Sequence, residues 1–270
     1  TILKPGTEKP VELNIESDIK QEAKVITKEL FYRLFDVSGD TAIERHLIIK
    51  VGDIGIWKMP SFAIEPHNID TIMDKLKGSS SIILDLRGNG GGYVVTLERL
   101  VGFMFDKDIK IAELKGRKKM DPQESKTKGK DAFMGKLIVL IDSTSGSAAE
   151  IFARLIQLEQ RGIVLGDISA GAVMQSKTQV NTTRDDSIIY GASITNADVI
   201  MSDGNSLEGV GVMPHVRLLP TAFDLAQNRD NILSEAIKLL DGNVTPEQAG
   251  NFFKYNWRSD GSLILELNEK

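Results

Sequence analysis

An α/β core with strands buried on both faces is the fold that this sequence predicts, and three observations predict it. The short apolar runs Ser81-Ile-Ile-Leu-Asp-Leu86, Leu137-Ile-Val-Leu-Ile141 and Ile163-Val-Leu-Gly166 lack the alternation of a half-exposed strand. Between such runs, apolar residues recur at helical spacing: Ile69, Ile72, Met73 and Leu76, then Ile151, Phe152, Leu155 and Ile156. A glycine-rich turn, Gly88-Asn-Gly-Gly-Gly92, links the first run to a helix expected over about 94–105.

Taken in order, Thr1–Ile15 reads as a Pro-Gly turn between two short strands. A lone hairpin is marginal in water, so residues 1–16 are expected to be the end of an upstream domain. The first residue is Thr1 and no signal peptide is visible, so the chain reads as a trimmed piece of something longer. Residues 17–44 are polar, with Phe31, Leu34 and Phe35 as a short helix face, and form a linker or helical segment. The core is expected over 45–242. It opens with strands at Ile48–Val51 and Ile54–Met59 around a Gly-Asp turn, followed by a helix over Pro66–Lys77. Residues 113–132, rich in Lys, Glu and Gly, read as an exposed excursion. Residues 243–270 form an extension, with a Thr-Pro-Glu-Gln helix start at 245 and a closing strand over Ser262–Leu267.

The balance of residues excludes several function classes. The 270 residues are 41% hydrophobic and 26% charged, which suits a globular protein able to bury its own core. A net charge of −5 argues against nucleic acid as partner, and the basic run Lys115–Lys119 is short. With no cysteine there is no disulfide, thiolate nucleophile or Cys-ligated metal. No apolar stretch approaches the roughly 18 residues that span a bilayer. No His-Glu-x-x-His or similar spacing suggests a metal, and no cofactor is expected.

Two elements carry chemistry. Gly90-Gly-Gly92 lets the backbone adopt positive φ and approach a ligand. The Lys-Ser/Thr of a phosphate loop and the GxGxxG fingerprint are both absent, so an oxyanion site fits better than a phosphate site. Ser147 opens the helix after strand Leu137–Ile141, where its hydroxyl serves either as nucleophile or as helix cap. Thr144 and Ser145 are alternative caps, and the amide of Ala148 points the same way as Ser147. A serine needs a base, and spacing does not choose among His46, His67 and His215. Glu208, among glycines in Leu207-Glu-Gly-Val-Gly-Val-Met-Pro214, is either a surface acid or the carboxylate that orients an imidazole.

These segments together resemble the C-terminal processing (tail-specific) serine peptidases. The resemblance rests on Asp85-Leu-Arg-Gly-Asn-Gly-Gly-Gly92, Leu137–Glu150, Arg161–Asp167 and Leu207–Pro214, in order, over roughly 45–240. It implies a ClpP/crotonase-like spiral of ββα units, with 1–16 as the remnant of a PDZ domain. It also implies polypeptide substrates and a periplasmic or cell-envelope location. Ser147 matches the family nucleophile, and Gly91 and Ala148 match its oxyanion donors. One branch pairs the serine with a lysine, but Ala172 stands at that position and Lys177 is off the pattern. The branch that includes the tricorn core protease uses histidine and glutamate instead, and the resemblance then selects His46 and Glu208.

The function so implied is a serine endopeptidase acting on unfolded or C-terminal protein segments. Its activity is expected to rise as His46 deprotonates, near pH ~6.5. Two competing expectations share the fold: a non-catalytic carrier of apolar ligands or peptides, as in interphotoreceptor retinoid-binding protein, and an acyl-CoA enzyme of crotonase type.

Overall fold

The computed structural model describes residues 46–182, 189–253, 256–257 and 263–264. The expected hairpin at 1–15 and the segment 17–44 lie outside the described residues. The elements run β1 Leu47–Val51, β2 Ile54–Lys58, α1 Pro66–Leu76, β3 Ser81–Asp85, α2 Val94–Met104, β4 Ile109–Gly116 and β5 Gln123–Ser125. There follow β6 Lys136–Ile141, α3 Ala148–Leu158, β7 Ile163–Gly166, β8 Gln175–Thr182, β9 Ile189–Ile200 and β10 Val216–Arg217. The chain continues through α4 Ala222–Ala226, α5 Asn231–Leu239 and α6 Pro246–Ala249 to the short pair β11 Asn256–Trp257 and β12 Leu263–Ile264.

The main sheet has the order β1-β2-β3-β6-β7-β10. Strands β2, β3, β6, β7 and β10 pair in parallel, while β1 closes one edge antiparallel to β2. Side chains of a strand point to opposite faces in turn, so an unbroken apolar run needs cover on both. Leu137, Val139 and Ile141 of β6 pack with Ile69 of α1, Leu100 of α2 and Phe152 of α3. Ile138 and Leu140, one residue out of phase, pack with Leu233 and Ile237 of α5 and Ala249 of α6. Each fully buried Leu, Ile or Phe contributes roughly 1.5–3 kcal/mol, so the sheet is held from both sides.

The second sheet, β5-β4-β9-β8, is antiparallel throughout. The stretch 113–132, expected as an exposed excursion, is largely exposed, but the end of β4 and all of β5 run through it and Gln123 and Ser125 are buried. Ile109, Ile111 and Ala112 of β4 are buried, which anchors the strand before its charged end leaves the core. Helices α4 and α6 start at capping boxes, Thr221 with Asp224 and Thr245 with Gln248, and Pro246 occupies the first helical turn of α6.

Candidate active site

Parallel strands leave their loops at one end, and the site assembles there. The loop after β3 is tied down by charge. Asp85 is fully buried and bonded by Arg87, whose guanidinium also takes both oxygens of Asp230 at the start of α5. Lys58 lies 3.2 Å from the same Asp85 oxygen. Burial pushes the Asp85 carboxyl up, but Arg87 and Lys58 more than offset that and hold it well below the usual carboxylate range.

Beyond this anchor, buried Asn89 donates to Met59 O at 2.9 Å and accepts from Gly91 N–H at 2.8 Å. Gly91 (φ 101°) and Gly92 (φ 148°) occupy a region that side chains rarely adopt. A Cβ on Gly91 would stand 2.6 Å from Ser147 Cβ and 3.0 Å from Ala148 N. The glycine turn therefore touches the nucleophile candidate, as the sequence predicts, and glycine is required by both conformation and space.

Ser147 sits at the N-cap of α3 with φ 52° and ψ −119°, a strained turn for a residue with a Cβ. Ser147 and Glu150 form a capping box in which Glu150 takes the Ser147 N–H, while the Ser147 hydroxyl faces the first-turn amide without a full hydrogen bond among the described residues. Ser145 is fully buried and bonds Leu86 O, and Thr144 bonds Asp142. The alternative caps therefore fix the preceding turn and leave the Ser147 hydroxyl to other use. Ala148 N–H, at the positive end of α3, has no partner among the described residues. Gly91 N–H, by contrast, is occupied by Asn89.

Glu150 is the residue that sequence reasoning missed. It is fully buried on α3 and accepts from Ser147 N, Ser169 Oγ, Gly171 N and Ala172 N at 2.6–3.0 Å. It thereby welds the Ser147 turn to the segment 169–172, where Ala172 O accepts a second bond from Ser147 N–H. Two signals mark it in the sequence: the Ser-x-x-Glu spacing, and a carboxylate lying within an apolar helical stripe.

The structure separates the three histidines. His215 holds the N-terminal end of β7, accepting from Val164 N at 3.0 Å, away from the strand ends that carry Ser147. His67 is exposed on the first turn of α1. His46 stands one residue before the Leu47–Lys58 pair, at the same end of the sheet as Met59, Asn89 and the glycine turn. It is buried, and burial lowers its pKa to about 4. Nδ1 accepts from Trp57 Nε1 at 3.3 Å, while Nε2 is buried without a partner among the described residues. An imidazole that accepts at Nδ1 carries its neutral-state proton on Nε2. Glu208 Oε2 accepts from Val173 N at 2.7 Å and Met174 N at 3.1 Å. No hydrogen bond joins Ser147, His46 and Glu208 in this state, and among the described residues no acidic or histidine cluster suits a metal ion.

Comparison with known proteins agrees with this frame. A curated carboxy-terminal-processing protease of Bartonella bacilliformis is 30% identical over 217 residues, covering 80% of this chain and 45% of that protein. A tail-specific protease of Haemophilus influenzae is 29% identical over 181 residues, covering 65% of this chain and 25% of that protein. The chain thus spans less than half the length of these curated relatives. A solved structure from Parabacteroides merdae, assigned as a peptidase, superposes with a TM-score of 0.59 at 21% identity, over 72% of this chain and 64% of that one. The model of peptidase family S41 matches residues 53–218, more than half of the sequence, including the glycine turn, Ser147 and Glu208, and on that match the chain belongs to peptidase family S41.

Proposed function

We propose that this chain carries the catalytic centre of a serine endopeptidase that cleaves unfolded or C-terminal segments of polypeptides. One observation carries the reading: Ser147 is held in a strained turn against Gly91, at the mouth of a helix whose Ala148 N–H has no partner among the described residues. Family membership and the names of the curated relatives support it. In this proposal Ser147 Oγ attacks the peptide carbonyl and His46 takes its proton. The proton passes to the departing amine, and water then hydrolyses the acyl-enzyme. Ala148 N–H meets the oxyanion directly, and Gly91 N–H joins it by leaving or sharing its bond to Asn89.

The base requires a further adjustment. His46 must exchange the Trp57 bond for a tautomer with Nε2 free to accept. Glu208 is suited to stabilise that tautomer, because both backbone amides fall on Oε2 and Oε1 has no partner among the described residues. The family resemblance also supports reading the core as a ClpP/crotonase-like spiral, residues 1–16 as the end of a PDZ domain, and a periplasmic or envelope setting in a bacterium.

The test is labelling with a fluorophosphonate probe, read by mass spectrometry on the full chain and on Ser147→Ala. Label on the Ser147 peptide that disappears in the variant is the expected result. A folded chain that takes no label at Ser147 overturns the assignment.

A further inference from the structure

In a chain of net charge −5, five cations gather around one groove without a single ion pair. Lys115, Arg117, Lys118, Lys119 and Lys177 line a groove of about 960 Å³ between β4, β8 and β9. All five are exposed, and none of their side chains makes a salt bridge or hydrogen bond among the described residues. Several cations elsewhere are paired, as Arg87 is with Asp85 and Asp230, Arg99 with Asp70 and Arg229 with Asp224. The one carboxylate in the groove, Asp198, accepts from Ser206 Oγ at 2.6 Å.

Strand register explains the concentration of charge. Lys177 lies opposite Ile194, and Lys115 opposite Asp198. Ile194, Asn196 and Asp198 of β9 all line the groove, across the register shift that β9 makes where Gln175 pairs with Ala197 and Ser176 with Thr195. The chain then turns so that Lys119 bridges back to Lys115, which brings Arg117 and Lys118 over the same surface. Met174 and Ile194 add exposed apolar contact, 38% and 56% accessible.

The groove is linked to the site along the chain. Ala172 O holds Ser147 N–H, Val173 and Met174 are held by Glu208, and Met174 already lines the groove. From Ala172 to Lys177 an extended chain covers roughly 17 Å, at about 3.3 Å per residue.

We propose that this groove is a specificity subsite that binds an acidic stretch of the polypeptide substrate, with Asp or Glu about three to five residues from the scissile bond. The proposal rests on the reading of Ser147 as the nucleophile. Exposed cations of this kind steer and select by complementary charge, and salt screens them.

The test uses the full chain carrying Ser147→Ala and a fluorescein-labelled ten-residue glutamate peptide, followed by anisotropy. A neutral Ser/Gln peptide and a ten-base oligothymidylate serve as controls. Neutralising Lys115→Gln, Arg117→Gln, Lys119→Gln and Lys177→Gln together should weaken glutamate-peptide binding about tenfold, and added salt should do the same to the parent. With Ser147 intact, the same four changes should raise KM for an acidic substrate, leave kcat nearly unchanged, and leave fluorophosphonate labelling intact. Unchanged glutamate-peptide binding in the neutralised chain overturns the subsite, as does oligothymidylate binding equally tightly. Loss of labelling in the parent strikes the peptidase reading instead, so the two failures are distinct.

Discussion

The two sheets of this protein are built on opposite principles. In the six-stranded sheet the central strands are buried on both faces, and Ile82, Ile83, Leu84, Val139 and Leu140 are wholly inaccessible. In the four-stranded sheet, β8 and β9 share a ladder of eight registered pairs, of which Ala197 is the only side chain buried among the described residues, and the buried part of the sheet lies beside it at Val199 and at Ile109, Ile111 and Ala112 of β4. The Ser147 turn grows from the first sheet and the cationic groove from the second. The contrast has a physical reason. A reacting atom must be held within about 0.5 Å by packed neighbours, whereas charge recognition needs exposed side chains free to follow a substrate.

That contrast fails first if Ser147 is not the reacting group. Ser147→Ala is expected to lower peptide hydrolysis at least about 10⁴-fold while costing no more than about 1 kcal/mol of stability, since the hydroxyl holds a capping-box position without a full hydrogen bond among the described residues. Residual turnover near the parent rate in a purified variant would move the chemistry elsewhere. Glu150→Ala sharpens the same comparison from the packing side. It strips the acceptor from four donors at once, including two amides of the segment beside Ser147, and should cost about 3 kcal/mol or more in urea unfolding. Glu150→Gln, which keeps the shape, should recover part of that loss. A Glu150→Ala chain as stable as the parent would show that the weld between α3 and 169–172 contributes little.

Gly91→Ala separates stability from catalysis at a single position. Its φ of 101° and the 2.6 Å approach to Ser147 Cβ mean that a methyl must displace the nucleophile. The expected result is about a 100-fold loss in kcat/KM, with a stability cost of roughly 1–3 kcal/mol. An active Gly91→Ala enzyme would remove this loop from the oxyanion site.

Legibility in the sequence followed the same division. Strands β1, β2, β3, β6 and β7 and helices α1, α2 and α3 were readable because burial on two faces imposes unbroken apolar runs, and burial on one face imposes a helical stripe. Strands β8 and β9 were not, because Ser176, Lys177, Ser193 and Thr195 stand exposed on a ladder that backbone pairing holds together. The Ser147 and Gly91 juxtaposition was legible from the two turns. Glu150 was passed over because a charged residue in an apolar stripe reads as a helix-surface interruption until its four donors are seen. The cationic groove was hidden by distance: Lys115–Lys119 looked short and diluted, and Lys177 joins it only through the β4–β9–β8 register.

His46 gives the smallest effect and the finest test. Its pKa falls from 6.5 in the unfolded chain to about 4 when buried. Between those values the unfolded state binds the extra proton, so stability rises with pH across the window and is lost as pH falls from about 6.5 towards 4. At pH 5 the loss relative to pH 7 should be about 2 kcal/mol, and His46→Gln should abolish that pH-dependent part. An identical pH 5 to pH 7 difference in both chains would show that His46 is not buried as a neutral ring. The same residue, as the proposed base, sets the acid limb of activity. Because kcat/KM reports the free enzyme, its limb should fall well below pH 6.5, towards about 4. The limb in kcat reports the substrate complex, where Glu208 Oε1 reaching the ring would stabilise the imidazolium and raise its pKa. A kcat limb above the kcat/KM limb, lost in Glu208→Gln, is therefore the expected signature of a site completed by substrate. Coincident limbs in the parent would show that Glu208 only holds Val173 and Met174, and that His46 works unaided.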